Sequence, residues 1–177
     1  MTIIILLTTI YGMIKTFQGY IYNIMLNLVL FEPEIPNNTG AIIRLCANIG
    51  ARLHLIKPYG FEITDKRLRR AGLDYREFMN LEEYEDFEDY KIRAKPERVF
   101  ALSSKVKTNY CKVKYKPGDS LLLGPETRGL PKHLIDQYEG ITLPMQKGSR
   151  SLNLSNCASI VAYEAWRQIG FIGAKNE

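Results

Sequence analysis

Three loops rich in Gly, Pro and Asn contain the residues best suited to bind a ligand. They span residues 37–40 (NNTG), 124–129 (GPETRG) and 144–155 (PMQKGSRSLNLS). Glycine lets backbone approach a ligand closely and proline fixes a bend, so such loops suit a flat adenine or an amino-acid group held by main-chain hydrogen bonds. The sequence contains neither GxGxxG nor GxxxxGK[ST], which removes the main support for an NAD or nucleoside triphosphate site.

The segments around these loops alternate between buried strands and amphipathic helices. Residues 26–31 and 52–56 are short apolar runs typical of buried strands, and residues 41–49 between them have a helical apolar face. This βαβ pattern predicts an α/β fold with a mostly parallel sheet covered by helices on both faces. Further strands are predicted at 98–102, 120–123 and 140–143, and helices at 64–72, through the acidic segment 74–90, from Pro131, and through the apolar positions Ala158, Val161, Ala162, Ala165, Trp166 and Ile169.

The three polar loops all follow predicted strands, and open α/β sheets bind ligands at the carboxyl ends of their strands. Any one of the loops is more often an ordinary structural turn. Three of them at the same edge of one sheet favour a binding site.

Charge is segregated along the 177-residue chain, whose formal net charge is +5. Residues 74–90 contain eight acidic residues and one arginine, so the remainder carries +12. A basic face of this kind indicates a nucleic-acid partner, although a lysine-rich solvated surface is the alternative.

Residues 1–24 are predicted to be a separate N-terminal extension, or the product of an upstream start chosen in error, before a single domain at 25–177. The extension lacks the basic region and cleavage site of a signal peptide, and its apolar run is too short to span a membrane. We therefore expect no membrane association.

The cysteines and histidines indicate a reducing compartment without a metal centre. Cys46 and Cys157 fall on apolar helical positions, which predicts buried free thiols. With only two histidines and no Cys/His cluster, we expect no metal site.

Three segments together resemble the ordered motifs of the SPOUT-class, SpoU-type RNA ribose 2′-O-methyltransferases. They are NNTGAIIR at 37–44, LLLGPETRGLP at 121–131 and ITLPMQKGSRSLNLSNCASIVAYEAWRQ at 141–168. Two further segments, RLCANIGARLHLIKPYGF and DKRLRRAGLDY, resemble the small single-domain subfamily that methylates the wobble nucleotide of tRNA.

The resemblance implies an enzyme that takes its methyl group from S-adenosylmethionine and modifies tRNA in the cytoplasm. It also implies a deep trefoil knot in the C-terminal third and a homodimer whose active site is completed across the interface. By resemblance, the cofactor lies against Leu102, Gly124, Leu143 and Ser151, with Met145 and Leu152 nearby.

Arg44 is the catalytic residue that the resemblance implies. The pKa of an arginine side chain lies above ~12, so an unassisted role as a base is hard to defend. We interpret Arg44 as holding the target phosphate and hydroxyl; a plain surface arginine is the alternative. Glu126 is the acid of the second motif, and a structural role is at least as consistent with it as a catalytic one.

Further residues are expected to support the site or to bind RNA. Asn38 and Gly129 belong to the first two motifs, and Asn153 and Ser155 to the third, where either could equally cap a helix. Tyr163 could stack on a base or pack in an interface. The predicted RNA phosphate contacts are Arg150 and the run Lys66, Arg67, Arg69 and Arg70, with Lys105, Lys107, Lys112 and Lys114 as second candidates.

One residue departs from the subfamily pattern: Ala41 stands where close relatives carry Asn. Two alternative functions stay open, namely the same reaction on another tRNA or rRNA nucleotide and a knotted RNA-binding protein without transfer activity. A flavodoxin-like nucleotide-binding module would need a phosphate loop, which the sequence does not contain.

Overall fold

The computed structural model describes residues 26–61 and 80–175. The predicted helix at 64–72, with Lys66, Arg67, Arg69 and Arg70, lies outside these residues, as does the extension at 1–24. The strands are β1 Asn27–Phe31, β2 Arg52–Ile56, β3 Leu81–Tyr84, β4 Val99–Leu102, β5 Ser120–Leu123 and β6 Glu139–Ile141. The helices are α1 Pro36–Ile49, α2 Phe87–Ala94, α3 Lys132–Gln137 and α4 Leu154–Gln168, with a 3-10 turn at Tyr110–Lys112.

The six strands form one parallel sheet in the order β3-β2-β1-β5-β4-β6. Alternate residues of the strands face opposite sides, so the sheet separates two apolar clusters. Leu28 and Leu30 pack with α1 and α4 on one side, and Val29 packs with α2 and α3 on the other. The predicted α/β class and parallel sheet are confirmed.

Helix α1 begins at Pro36, so the prediction of a loop over residues 37–40 is wrong. Proline at the first helical position has the backbone dihedral that a helix needs. The preceding N-cap residue, Ile35, has no side chain able to accept a hydrogen bond from the helix. A carboxylate from another loop accepts hydrogen bonds at this end of α1, and that long-range contact is invisible in the local sequence.

The acidic segment is not one continuous helix, contrary to prediction. From residue 80, where the description of the chain resumes, the chain forms strand β3, then turns, and α2 starts at Phe87. Asp86 caps α2 by accepting a hydrogen bond from the amide of Asp89 at 2.8 Å. Tyr84 and Phe87 enter the core, so tertiary packing decides the structure of this acidic stretch.

The C-terminal half follows the prediction with small shifts of boundary. Strand β6 ends at Ile141, two residues earlier than predicted, and Pro131 is the N-cap of α3. Helix α4 buries its predicted small apolar positions, Ala158, Val161, Ala162 and Ala165. Cys46 is buried as predicted, but Cys157 is only partly buried.

No helix within the described ranges is long and apolar enough to cross a membrane.

His54 on β2 is buried on the side of the sheet covered by α2, among hydrogen-bonding neighbours. Its Nδ1 lies 2.8 Å from the hydroxyl of Tyr84, and its Nε2 lies 3.1 Å from Oδ1 of Asn27. Burial lowers the pKa of His54 from its ordinary value of 6.5 to about 4, because the charged imidazolium would lose its water. His54 is therefore neutral in the folded protein at pH 7.

We predict that this buried imidazole makes folding less favourable as the pH falls. The unfolded chain takes up the proton near pH 6.5 and the folded chain only near pH 4, so the free energy of unfolding declines across that window. The contribution from His54 is on the order of 3 kcal/mol. NMR titration checks it directly, with the exposed His133 giving the second imidazole signal. A His54 signal that titrates at pH 6 to 7 in the folded protein would contradict the prediction.

Candidate active site

A pocket of about 530 Å³ opens at the carboxyl ends of β4, β5 and β6. The three polar motifs meet there, as the placement of their loops predicted. All six residues predicted to hold the cofactor line it: Leu102, Gly124, Leu143, Met145, Ser151 and Leu152. Four of the predicted supporting residues line it as well: Asn38, Glu126, Gly129 and Asn153.

Gly124 is required where the second loop returns upon itself. A Cβ at this position would lie 2.3 Å from the backbone nitrogen of Leu130 and 2.6 Å from the carbonyl carbon of Gly129. Gly129 itself has a φ of 66°, in the left-handed region that favours glycine. The 124–130 loop is thus a tight turn whose two ends touch through main-chain atoms, and it exposes backbone to the pocket.

Glu126 joins this loop to the start of α1. Its carboxylate accepts hydrogen bonds from the amides of Glu34 at 2.8 Å and Ile35 at 3.2 Å, and from Nδ2 of Asn38 at 2.9 Å. A carboxylate near a helix N-terminus stabilises amide groups that have no partner within the helix. Glu126 therefore fixes the two residues that precede α1 and, through the side chain of Asn38, its first turn.

Asn38 connects the first motif to the third. Its side-chain oxygen accepts a hydrogen bond of 2.9 Å from Nδ2 of Asn153. Asn153 is in turn the N-cap of α4, accepting from the amides of Ser155 and Asn156 and from the hydroxyl of Ser155 at 2.6 Å. The chain Glu126–Asn38–Asn153 thus links all three motifs by side-chain hydrogen bonds.

Other predicted residues lie outside the pocket wall. Arg44 is exposed on α1, and Arg150 is exposed in the turn before α4. Tyr163 is 47% exposed on α4, with its ring edge-on to Trp166. The second-candidate lysines Lys107, Lys112 and Lys114 are exposed, whereas Lys105 lines the pocket.

Sequence reasoning missed a second set of contacts between the first two loops. The carboxylate of Glu34 accepts hydrogen bonds from the amide of Thr127 at 2.9 Å and from its hydroxyl at 2.8 Å, and these bonds lower the pKa of Glu34. Arg128 forms a salt bridge with Glu32, and its Nε lies 4.0 Å from Glu34. The only local sign of these contacts was Glu34 itself, a charged residue between two prolines in the segment PEIP at 33–36.

No group of three or more His, Cys, Asp or Glu side chains among the residues described is arranged to hold a metal ion.

Comparison with known proteins identifies the class. The sequence profile of the SpoU rRNA methylase family matches residues 25–163, and the chain belongs to that family. It is 55% identical over 158 residues to the tRNA (cytidine(34)-2′-O)-methyltransferase of Yersinia pestis, covering 85% of this chain and 98% of that protein. The family predicted from the three motifs is confirmed.

Solved structures agree in fold. One, described as giving structural insights into the 2-OH methylation of C/U34 on tRNA, has a TM-score of 0.77 and 40% identity, covering 82% of this chain and 96% of its own. An AdoMet-bound rRNA methyltransferase from Sinorhizobium meliloti has a TM-score of 0.71 and 26% identity, covering 81% of this chain and 56% of its own.

We predict that Glu126→Gln destabilises the fold by about 1–3 kcal/mol. The amide group would place a donor where an oxygen now accepts a hydrogen bond, leaving polar groups unsatisfied. Glu97→Gln is the matched control, because Glu97 is exposed and outside the network. Chemical denaturation of both variants measures the difference. Unchanged stability for Glu126→Gln would show that its observed contacts contribute little to folding.

We also predict that Gly124→Ala destabilises the protein by about 2 kcal/mol or more, since the new methyl group meets main-chain atoms that cannot move aside. Gly60→Ala is its control: Gly60 is exposed, and a Cβ there meets no atom within 4 Å. Thermal and chemical unfolding compare the two variants. Equal stability would contradict the close backbone approach at Gly124.

Proposed function

We propose that this protein is an S-adenosylmethionine-dependent enzyme that methylates the ribose 2′-hydroxyl of nucleotide 34, a C or U, in the anticodon loop of tRNA. The 55% identity to a protein named for that reaction supports the proposal, over nearly the full length of that relative. The similarity to a structure concerned with methylation of C/U34 supports it as well.

The observation that carries the proposal is the single pocket formed by all three motifs. Its floor is apolar, with Leu102, Leu123 and Leu143 at or just beyond strand ends, and its walls present loop backbone. Its volume lies within the range for a cofactor, and such sites combine an apolar lining with a few fixed polar groups. These features fit S-adenosylmethionine, whose adenine would lie against the backbone of residues 102, 124, 143 and 151.

When bound, S-adenosylmethionine supplies an activated methyl group on a sulfonium. The contribution of the protein is then to hold the ribose hydroxyl in line and to assist the loss of its proton. Glu126 is unsuited to take that proton, because its oxygens already accept from two amides and from Asn38. Arg44 is the residue proposed to hold the target phosphate and orient the hydroxyl.

The active enzyme is a homodimer in this proposal, with each site completed across the interface. Arg44 supports this view, because it is exposed on α1 and does not line the pocket of its own chain. Helix α4 also exposes a large apolar side chain that a second copy would cover, that of Ile160, which is 39% accessible.

The C-terminal third is proposed to form the trefoil knot typical of the SPOUT class. After β6 the chain runs beside the 103–116 loop, where the amide of Thr142 donates to the carbonyl of Thr108 and the amide of Tyr110 donates to the carbonyl of Thr142. Helix α4 then crosses back to pack against α1, and Gln168 bonds to the backbone of Val113 and Tyr115. These contacts support a chain that passes the 103–116 loop before α4 docks.

The RNA surface is proposed to include Arg150 and Tyr163, with Lys66, Arg67, Arg69 and Arg70 as the phosphate track. Lys107, Lys112 and Lys114 are exposed on the 103–116 loop and provide further positive charge. A tRNA substrate also supports the predicted cytoplasmic location.

The test is transfer of label from S-adenosylmethionine to total tRNA, followed by mapping of the modified nucleoside. We expect label at the 2′-oxygen of nucleotide 34, and we expect Arg44→Ala to lower the rate at least about 100-fold through lost positioning. Arg93→Ala is the control, since Arg93 lies on α2 and pairs with Asp89.

Each other outcome points to a different function. Label at another tRNA or rRNA nucleotide would show that the protein catalyses the same reaction on a different nucleotide. No label on any RNA, with S-adenosylmethionine still bound, would indicate a binding protein. Full activity of Arg44→Ala would remove that residue from the proposed mechanism.

A further inference from the structure

Three charged residues line the pocket: Lys105, Glu126 and Arg128. They matter because S-adenosylmethionine has an amino-acid tail, which carries a carboxylate and an ammonium group. Glu126 is occupied at the start of α1, as described above. The carboxylate of the tail therefore has two candidate cations, Lys105 and Arg128.

Arg128 is already surrounded by acid. It forms a salt bridge with Glu32, and its Nε lies 4.0 Å from Glu34. These three side chains together carry a net charge of −1, so a further carboxylate would meet repulsion there. The hydrogen bonds from Thr127 hold Glu34 in place, which fixes this acidic set on one side of the pocket.

Lys105 lines the pocket from the loop after β4, three residues beyond the end of the strand. Its backbone amide donates to the hydroxyl of Ser103 at 3.2 Å, so the turn that carries it is anchored to the strand end. Within the described part of the chain, Lys105 forms no salt bridge with any carboxylate. It is thus a cation at the pocket without a partner of opposite charge there.

The pocket lining has an apolar part and a polar part, which would orient a bound S-adenosylmethionine. The leucines of the strand ends form its apolar part, which suits the adenine ring. Ser103, Ser104 and Lys105 form a polar rim after β4, in which Ser104 and Lys105 are exposed to solvent. A zwitterionic tail is more stable at this rim than against the leucines.

Resting on the proposed function, we infer that Lys105 binds the carboxylate of the amino-acid part of S-adenosylmethionine and so selects donors that carry this tail. The role differs from the RNA phosphate contact predicted for Lys105 from the sequence. It makes Lys105 a specificity-determining residue for the donor.

Calorimetric binding of two ligands tests the inference: S-adenosylhomocysteine, which has the amino-acid tail, and 5′-methylthioadenosine, which lacks it. We expect Lys105→Met to raise the Kd of S-adenosylhomocysteine about three- to tenfold and to leave that of 5′-methylthioadenosine within about twofold. Lys105→Arg should restore most of the affinity. Lys116→Met is the control, being an exposed lysine of the same connection that does not line the pocket.

Salt provides a second readout that a merely structural role would not change. The affinity of the wild type for S-adenosylhomocysteine should fall as ionic strength rises, and the slope should be shallower in Lys105→Met. Equal losses for both ligands, or no loss for either, would overturn the role of Lys105 while leaving the proposed function intact. A higher KM for tRNA with unchanged S-adenosylhomocysteine affinity would return Lys105 to the RNA surface. Failure of the wild type to bind S-adenosylhomocysteine would overturn both proposals.

Discussion

The arrangement of the site depends on one carboxylate, that of Glu126. It reaches from the loop after β5 to the start of α1, which has no capping side chain of its own, and there it accepts hydrogen bonds from two amides and from Asn38. Asn38 passes the connection to Asn153 and hence to α4. Segments 115 residues apart, whose helices also pack together in the core, are joined at the pocket by these few polar side chains.

The second loop takes part in the same network and contributes residues 124–130 to the pocket wall. Gly124 lets the second loop close on Leu130, and the loop then presents its amides and carbonyls at a fixed distance from the strand ends. The polar side chains of Glu126, Asn38 and Asn153 form the hydrogen bonds that maintain this arrangement of the loops. Asn38 is the buried member of this network, and leaving its side-chain amide unpaired would be costly, which favours one conformation.

The sequence was sufficient for the parallel α/β architecture, because apolar strand runs and helical periodicity are local signals. The residues around the pocket came from the resemblance of the three motifs to a known family. The sequence was insufficient where structure depends on distant partners. The start of α1 was missed because Glu126, which holds the residues before it, is remote in sequence. Strand β3 was missed because an edge strand in an acidic stretch is fixed by pairing with β2. The contacts of Glu34 with Thr127 were missed for the same reason, since the local sequence around neither residue predicts the other as its partner.

The placement of charged residues bears on which groups at the pocket could take part in the reaction. The acidic residues at the pocket are engaged with amides or with Arg128, and the pocket wall contains no histidine. In the proposed reaction the rate comes largely from alignment of an already activated methyl group. Arg44 does not line the pocket of its own chain, and in the proposed homodimer substrate RNA and the second subunit complete the reacting centre. S-adenosylmethionine bound before the RNA arrives would have no nucleophile nearby. In this proposal methyl transfer therefore occurs only when the correct ribose is in place.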